Sequence, residues 1–265
     1  MIKSAHHVQK PIHYTGPMTI FHRTRVLLLC LCLAPRAWAQ TPAPGAVLTS
    51  SPADKVVLIA GDDSLPVFDN AVASLRARLV ATSRGRAHIT QLSATPSLVA
   101  QHVARLATLS HVLSAIAAMR PRAGQGCFVF ATSHGVRQAG LYLSVRDEVL
   151  TPRALDGALA RGCGDAPTVV VISSCFSGAF AEGPMRRPNR IVLTAARADR
   201  TSFGCQAGRD FTVYDRCFLD AVDHAATWPQ AYALIKACVS AEETLEDVTP
   251  SEPQAWFGTP RQRTP

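Results

Sequence analysis

The chain has 265 residues, with 27 Lys and Arg against 19 Asp and Glu and a formal charge of +8. Five of the basic residues and no acid fall within 1–39, so from Gln40 onward the excess is only +3, which gives no argument for a nucleic-acid partner. The roughly 226 residues that follow suit one domain with a full hydrophobic core, without internal repeats or low-complexity tracts.

Arg23 and Arg25 precede an apolar run over 26–34, and Ala37-Trp38-Ala39 forms a small-x-small cleavage site before Gln40. Residues 1–39 therefore read as a secretory signal peptide with an extended front end, for which Met18 supplies a more ordinary start. The apolar run is too short for a permanent membrane anchor, and Cys30 lacks the preceding small residues of a lipid-attachment site. A periplasmic or secreted protein is expected, with a flexible lead over 40–54, a folded domain over 55–259 and a tail over 260–265.

Within the domain the pattern alternates. Residues 56–60 read as a strand ending at Gly61-Asp62-Asp63, 68–80 as an amphipathic helix and 87–92 as a second strand. Residues 97–119 read as largely helical and close at Pro121. Residues 128–133 form an apolar strand running into His134-Gly135, and 140–145 a short extended piece. A helix opens at Thr151-Pro152 and runs to about 161, with proline early in the helix, where its missing N–H costs nothing. Residues 169–174 form a second apolar strand, running into Cys175-Phe176-Ser177-Gly178. A strand over 190–196, helices over 211–224 and 230–245, and an edge strand over 254–258 complete the series. This alternation predicts an α/β fold with a mainly parallel central sheet flanked by helices.

Two of these strands carry the chemistry. Ligands bind outside the carboxyl ends of strands in open α/β sheets. If the strands before His134 and Cys175 are neighbours, a thiol and an imidazole emerge together there, an arrangement that activates a cysteine nucleophile. The amides of Gly135 and Cys175 are candidates for an oxyanion hole. Ser177 and Gly178 keep the following turn small and open. Asp62 or Asp63 reaches His134 if the first strand is adjacent.

Six cysteines follow the signal: Cys127, Cys163, Cys175, Cys205, Cys217 and Cys238. With Cys175 as a free nucleophile, at most two bridges form and one thiol is left over. Cys127 and Cys163 each stand at the start of a strand, at the end of the sheet opposite the dyad, which suits a bridge between them. Pairing among Cys205, Cys217 and Cys238 stays open. His102 and His111 lie nine residues apart without metal-ligand spacing, and neither Cys-x-x-Cys nor His-Glu-x-x-His occurs, so no metal is expected. Gly124-Gln125-Gly126 lacks the helix that a dinucleotide site requires, and no cofactor is expected. Arg186-Arg187-Pro188-Asn189-Arg190 reads as a solvated loop, and Trp228 and Trp256 as packing residues.

The run 171–178, the Ser133-His134-Gly135 turn and the stretch 193–205, Leu-Thr-Ala-Ala-Arg-Ala-Asp-Arg-Thr-Ser-Phe-Gly-Cys, resemble the bacterial branch of the legumain-like cysteine peptidases, relatives of the caspases. The resemblance runs from about 56 to 258. It implies a caspase-like fold and a Cys–His dyad, with Cys175 as nucleophile, His134 as general base and acid, and Gly135 at the oxyanion. Ser202 would line the pocket for the residue before the scissile bond. Plant and animal legumains carry Glu-Ala before the nucleophile, where this chain has Ser173-Ser174. Their histidine-orienting Asn corresponds to Asp63, and their pocket Arg-His pair to Asp69-Asn70. The inverted charge predicts that Asp69 favours a cationic side chain, against a simpler role for an acid in the first turn of a helix. The resemblance implies an exported endopeptidase acting on a peptide or protein substrate through a thioester. Competing expectations are a transpeptidase using the same acyl-enzyme, an inactive binding or scaffold domain of this fold, and a thiol redox protein. The last is disfavoured because no resolving cysteine lies close in sequence. Oligomeric state is not legible in the sequence.

Overall fold

The computed structural model of the chain describes residues 46–50, 53–83 and 85–259. The signal segment, its alternative start, most of the lead and the tail lie outside the described residues. In chain order the helices and strands are α1 (Ala46–Ser50), β1 (Lys55–Ala60), α2 (Val67–Ser83), β2 (His88–Ser93), α3 (Pro96–Ala100), β3 (Arg105–Leu106), α4 (Leu109–Ala117), β4 (Cys127–Thr132), β5 (Gly135–Val136), β6 (Gly140–Leu143), β7 (Glu148–Leu150), α5 (Pro152–Gly162), β8 (Thr168–Ser173), β9 (Arg190–Thr194), α6 (Val213–His224), α7 (Trp228–Leu245) and β10 (Gln254–Phe257).

Seven strands form one sheet in the order β10-β9-β8-β4-β1-β2-β3, and β5, β6 and β7 form a small second sheet. Every pairing in the large sheet is parallel except that of β10 with β9. This is the α/β architecture of the caspase-like fold. β4 and β8 are fully buried along their lengths, which is why they read as continuous apolar runs rather than alternating ones. Their side chains still alternate between two cores. Phe128, Phe130, Val169 and Val171 face α1, α2, α6 and α7. Val129, Ala131, Val170 and Ile172 face α4, α5 and the small sheet.

Three expectations are corrected. The helix expected over 97–119 is two helices separated by β3: His102 takes a left-handed φ of 57°, and Arg105 and Leu106 pair with Leu92 and Ser93. Sheet pairing overrides helical propensity there. Part of the expected loose lead is helical, because Val47 and Leu48 are buried in the first core. Arg190 does not sit in a solvated loop. It is 1 % exposed and bonds Asp156 at 2.8 Å, and Asp156 also holds Arg187. A buried charge requires such a partner. Among the described residues no helix is long and apolar enough to cross a membrane.

Two disulfides form among the described residues. Cys127 at the start of β4 joins Cys163 at the end of α5, and Cys217 on α6 joins Cys238 on α7. Cys175 and Cys205 remain free.

Candidate active site

β4 and β8 are neighbours in exact phase at their ends, with Thr132 opposite Ser173, and Ser133 extends the ladder by donating its N–H to Ser173 O at 3.1 Å. His134 and Cys175 each follow two residues beyond that last pair. The strands are neighbours, the condition set by the sequence, and equal overhang places both residues on the same carboxyl edge. Chain order reverses next door, between β1 and β4, so the site lies beside the crevice where open α/β sheets bind ligands.

The backbones meet as closely as the chemistry of glycine permits. A Cβ on Gly135 would overlap the Cys175 carbonyl, and one on Gly178 would stand 2.5 Å from Ala198 N. Ser177 Oγ, fully buried, accepts from Ala196 N at 3.2 Å. Small residues after Cys175 therefore serve close packing under the segment that follows β9, rather than an open turn.

Cys175 and His134 are both half-buried. The Ser202 amide donates to Cys175 Sγ at 3.3 Å, and the Ser202 carbonyl lies 3.5 Å from the same sulfur. The imidazole of His134 meets the ring of Phe68 edge-on, with centroids 5.3 Å apart and planes at 78°. Phe68 is fully buried in the first turn of α2, so the contact fixes one side of the histidine ring.

The acids expected near His134 are engaged elsewhere. β1 is adjacent to β4, but Asp62 is held by the amide and hydroxyl of Ser64, and Asp63 accepts from Ser144 Oγ at 3.0 Å. Among the described residues no hydrogen bond joins either to the imidazole. Asp69 accepts from Ser93 Oγ at 2.8 Å and from Thr95 Oγ1 at 2.6 Å. Both of its oxygens are tied to the end of β2, two strands from β4, where they join α2 to that strand. Asn70, beside it, reaches the other way and donates to Asp210 O at 3.0 Å.

A carboxylate that sequence reasoning missed lies behind the site. Asp215 on α6 is fully buried; Thr132 Oγ1 donates to its Oδ2 at 2.7 Å, and among the described residues Oδ1 has no hydrogen-bond partner. Burial pushes its carboxyl up to about 6, opposed by the nearby hydroxyls of Ser173, Thr132 and Thr212. Asp215 thus lies beside Ser173, sealed from solvent. Its sequence signature, Thr212-x-x-Asp215, is that of an ordinary helix start, with Thr212 capping the Asp215 amide. Nothing there announced proximity to the ends of β4 and β8.

Cys205 supplies a second thiol near in space though not in sequence. Burial pushes it up to about 12, helped by the charges of Cys175, Asp215 and Asp62, so it stays protonated at neutral pH. Among the described residues no cluster of His, Cys, Asp or Glu is arranged to hold a metal ion.

Residues 110–259, more than half of the chain, match the profile of the Peptidase C13 family. The match begins after β3, so the equivalences drawn for Asp63, Asp69 and Asn70 fall outside it, whereas His134, Cys175 and Ser202 fall inside. No curated protein matches the chain.

Proposed function

The chain belongs to the Peptidase C13 family, the legumain-like cysteine peptidases, and from that premise we propose that it is an exported endopeptidase working through a Cys175–His134 dyad. The observation that carries the proposal is the equal overhang of His134 and Cys175 beyond the paired ends of β4 and β8.

In this reading His134 takes the Cys175 proton and the thiolate attacks the peptide carbonyl carbon. The oxygen takes up the electron pair against the Gly135 and Cys175 amides. Collapse breaks the C–N bond, His134 returns the proton to the departing amine, and a thioester remains on Sγ. Water, deprotonated by the same imidazole, then releases the acid and restores the thiol. The Ser202 amide, 3.3 Å from Sγ, is a donor suited to a sulfur that carries charge, and Ser202 borders the pocket for the residue before the cleaved bond. Export rests on the apolar run and cleavage site before Gln40. Two disulfides fit an oxidising compartment.

The test is digestion of a diverse peptide mixture, read by mass spectrometry, with Cys175→Ala as control. Cuts made only by the unsubstituted protein are expected. A folded protein whose cuts match the control's would overturn the peptidase reading.

A further inference from the structure

Beyond the dyad, one feature of the edge has no role in the steps above. Arg137, three residues after His134 on the turn between β5 and β6, lays its guanidinium carbon 4.9 Å above the ring centre of Phe176. Phe176 is the residue that follows Cys175, and it is firmly held. Its φ is +58°, a conformation that a bulky side chain adopts only when its surroundings dictate it. Its amide donates to Arg200 O at 2.7 Å. A fixed ring therefore steadies an exposed cation next to the nucleophile. On the segment that bears Ser202, Arg197 and Arg200 each meet a carboxylate. Among the described residues no ion pair joins a carboxylate to Arg137.

The two sides of Cys175 differ. Ser202 belongs to the segment whose Phe203 and Cys205 pack on the core of α2 and α6. The β5–β6 hairpin that bears Arg137 packs through Leu141 and Leu143 on the opposite core. With the acyl side of a peptide at Ser202, the side left for the departing fragment is the hairpin that bears Arg137, the direction assumed for the substrate.

We propose that Arg137, steadied on Phe176, forms a carboxylate-binding subsite for the leaving-group side of the substrate. The inference rests on the peptidase reading for its direction. The ligand chemistry is a carboxylate within a residue or two of the scissile bond, from an Asp or Glu side chain or from the free C-terminus of a short leaving fragment. Arginine binds either one through two parallel N–H donors.

Two measurements test it. The first compares cleavage of matched peptides differing only after the scissile bond: neutral, acidic with an amidated C-terminus, or neutral with a free C-terminus close to the bond. The unsubstituted protein is expected to favour one of the carboxylate peptides about fivefold or more in kcat/KM over the neutral peptide, and Arg137→Gln to bring that ratio close to one. Which carboxylate peptide is favoured identifies the source. Equal rates across the set, or a preference that survives Arg137→Gln, overturn the subsite while leaving the peptidase reading intact. The second needs no turnover: the rate of Cys175 alkylation by anionic iodoacetate relative to neutral iodoacetamide. Arg137→Gln is expected to lower that ratio several-fold. If no peptide is cut, the peptidase reading fails and this ratio alone decides, an unchanged value sinking the anion site.

Discussion

At the scale of single residues, Asp215 has the most measurable consequence. Burial raises its carboxyl from 3.8 to about 6 in the fold. Below about pH 4 it is protonated whether folded or unfolded, and its burial then carries no titration penalty. Between about 4 and 6 the unfolded chain releases the proton while the fold holds it, so stability falls as pH rises, by on the order of 3 kcal/mol in all. Above about 6 the loss is constant. Asp215→Asn keeps an acceptor for Thr132 Oγ1 and removes this slope. Urea unfolding of both proteins at pH 4, 5, 6 and 7 should show the unsubstituted protein losing ground to the variant over that window; parallel curves would count against the raised carboxyl. Phe68 acts on the other side of the site. Phe68→Leu keeps an apolar side chain in the first core but forfeits an aromatic contact worth about 0.5–1.5 kcal/mol. If that contact holds His134 ready for catalysis, kcat falls up to about tenfold with little change in KM. An unaltered kcat would reduce the contact to packing.

At the scale of elements, β9 is anchored to α5 through a charge cluster remote from the dyad. Arg190 is 1 % exposed and shares Asp156 with the half-exposed Arg187. Removing Arg190 leaves Asp156 only its bonds to the half-exposed Arg187, so Arg190→Met, which loses a buried hydrogen bond between charged groups, should cost about 2–3 kcal/mol. Arg187→Ala removes only the more exposed partner and should cost about 1 kcal/mol or less. Chemical denaturation of the two variants checks the contrast; equal losses would mean that burial does not separate the two arginines. The same cluster shows the limit of reading by composition. Five residues rich in Arg look solvated in sequence, yet Arg190 opens a strand whose start is covered by α5, and Asp156 waits opposite it on a separate element.

For the whole molecule, the Cys127–Cys163 bridge and the dyad occupy opposite ends of one sheet, while the second bridge ties α6 to α7. Closing loops of 36 and 21 residues by sequence separation stabilises by about 3–4 kcal/mol each in the chain-entropy account. Full reduction should therefore lower the melting temperature markedly while leaving Cys175-dependent cleavage at 25 °C little changed, because the strand ends that carry the dyad are not held by either bridge. Calorimetry alongside cleavage in rising concentrations of dithiothreitol tests this. Activity lost in step with the first reduced bridge would show that the site depends on the cross-links.

Much of the fold was legible locally. A buried parallel strand must be apolar on both faces, so β4 and β8 stood out from one dimension of information, as did the helix starts at Thr151 and the residues that end each apolar run. The sequence by itself determined the α/β class, the strand ends that carry His134 and Cys175, and the family's motif order. Only the tertiary structure decided which strands adjoin, because hydrogen bonding between parallel strands joins segments about forty residues apart and leaves no periodic trace. It also decided the partners of Asp69 and Asp63, the pairing of the leftover cysteines, and the positions of Phe68, Asp215 and Arg137 around the dyad. Those depend on where a side chain ends in space, a quantity fixed by packing between distant elements rather than by any residue's own preference.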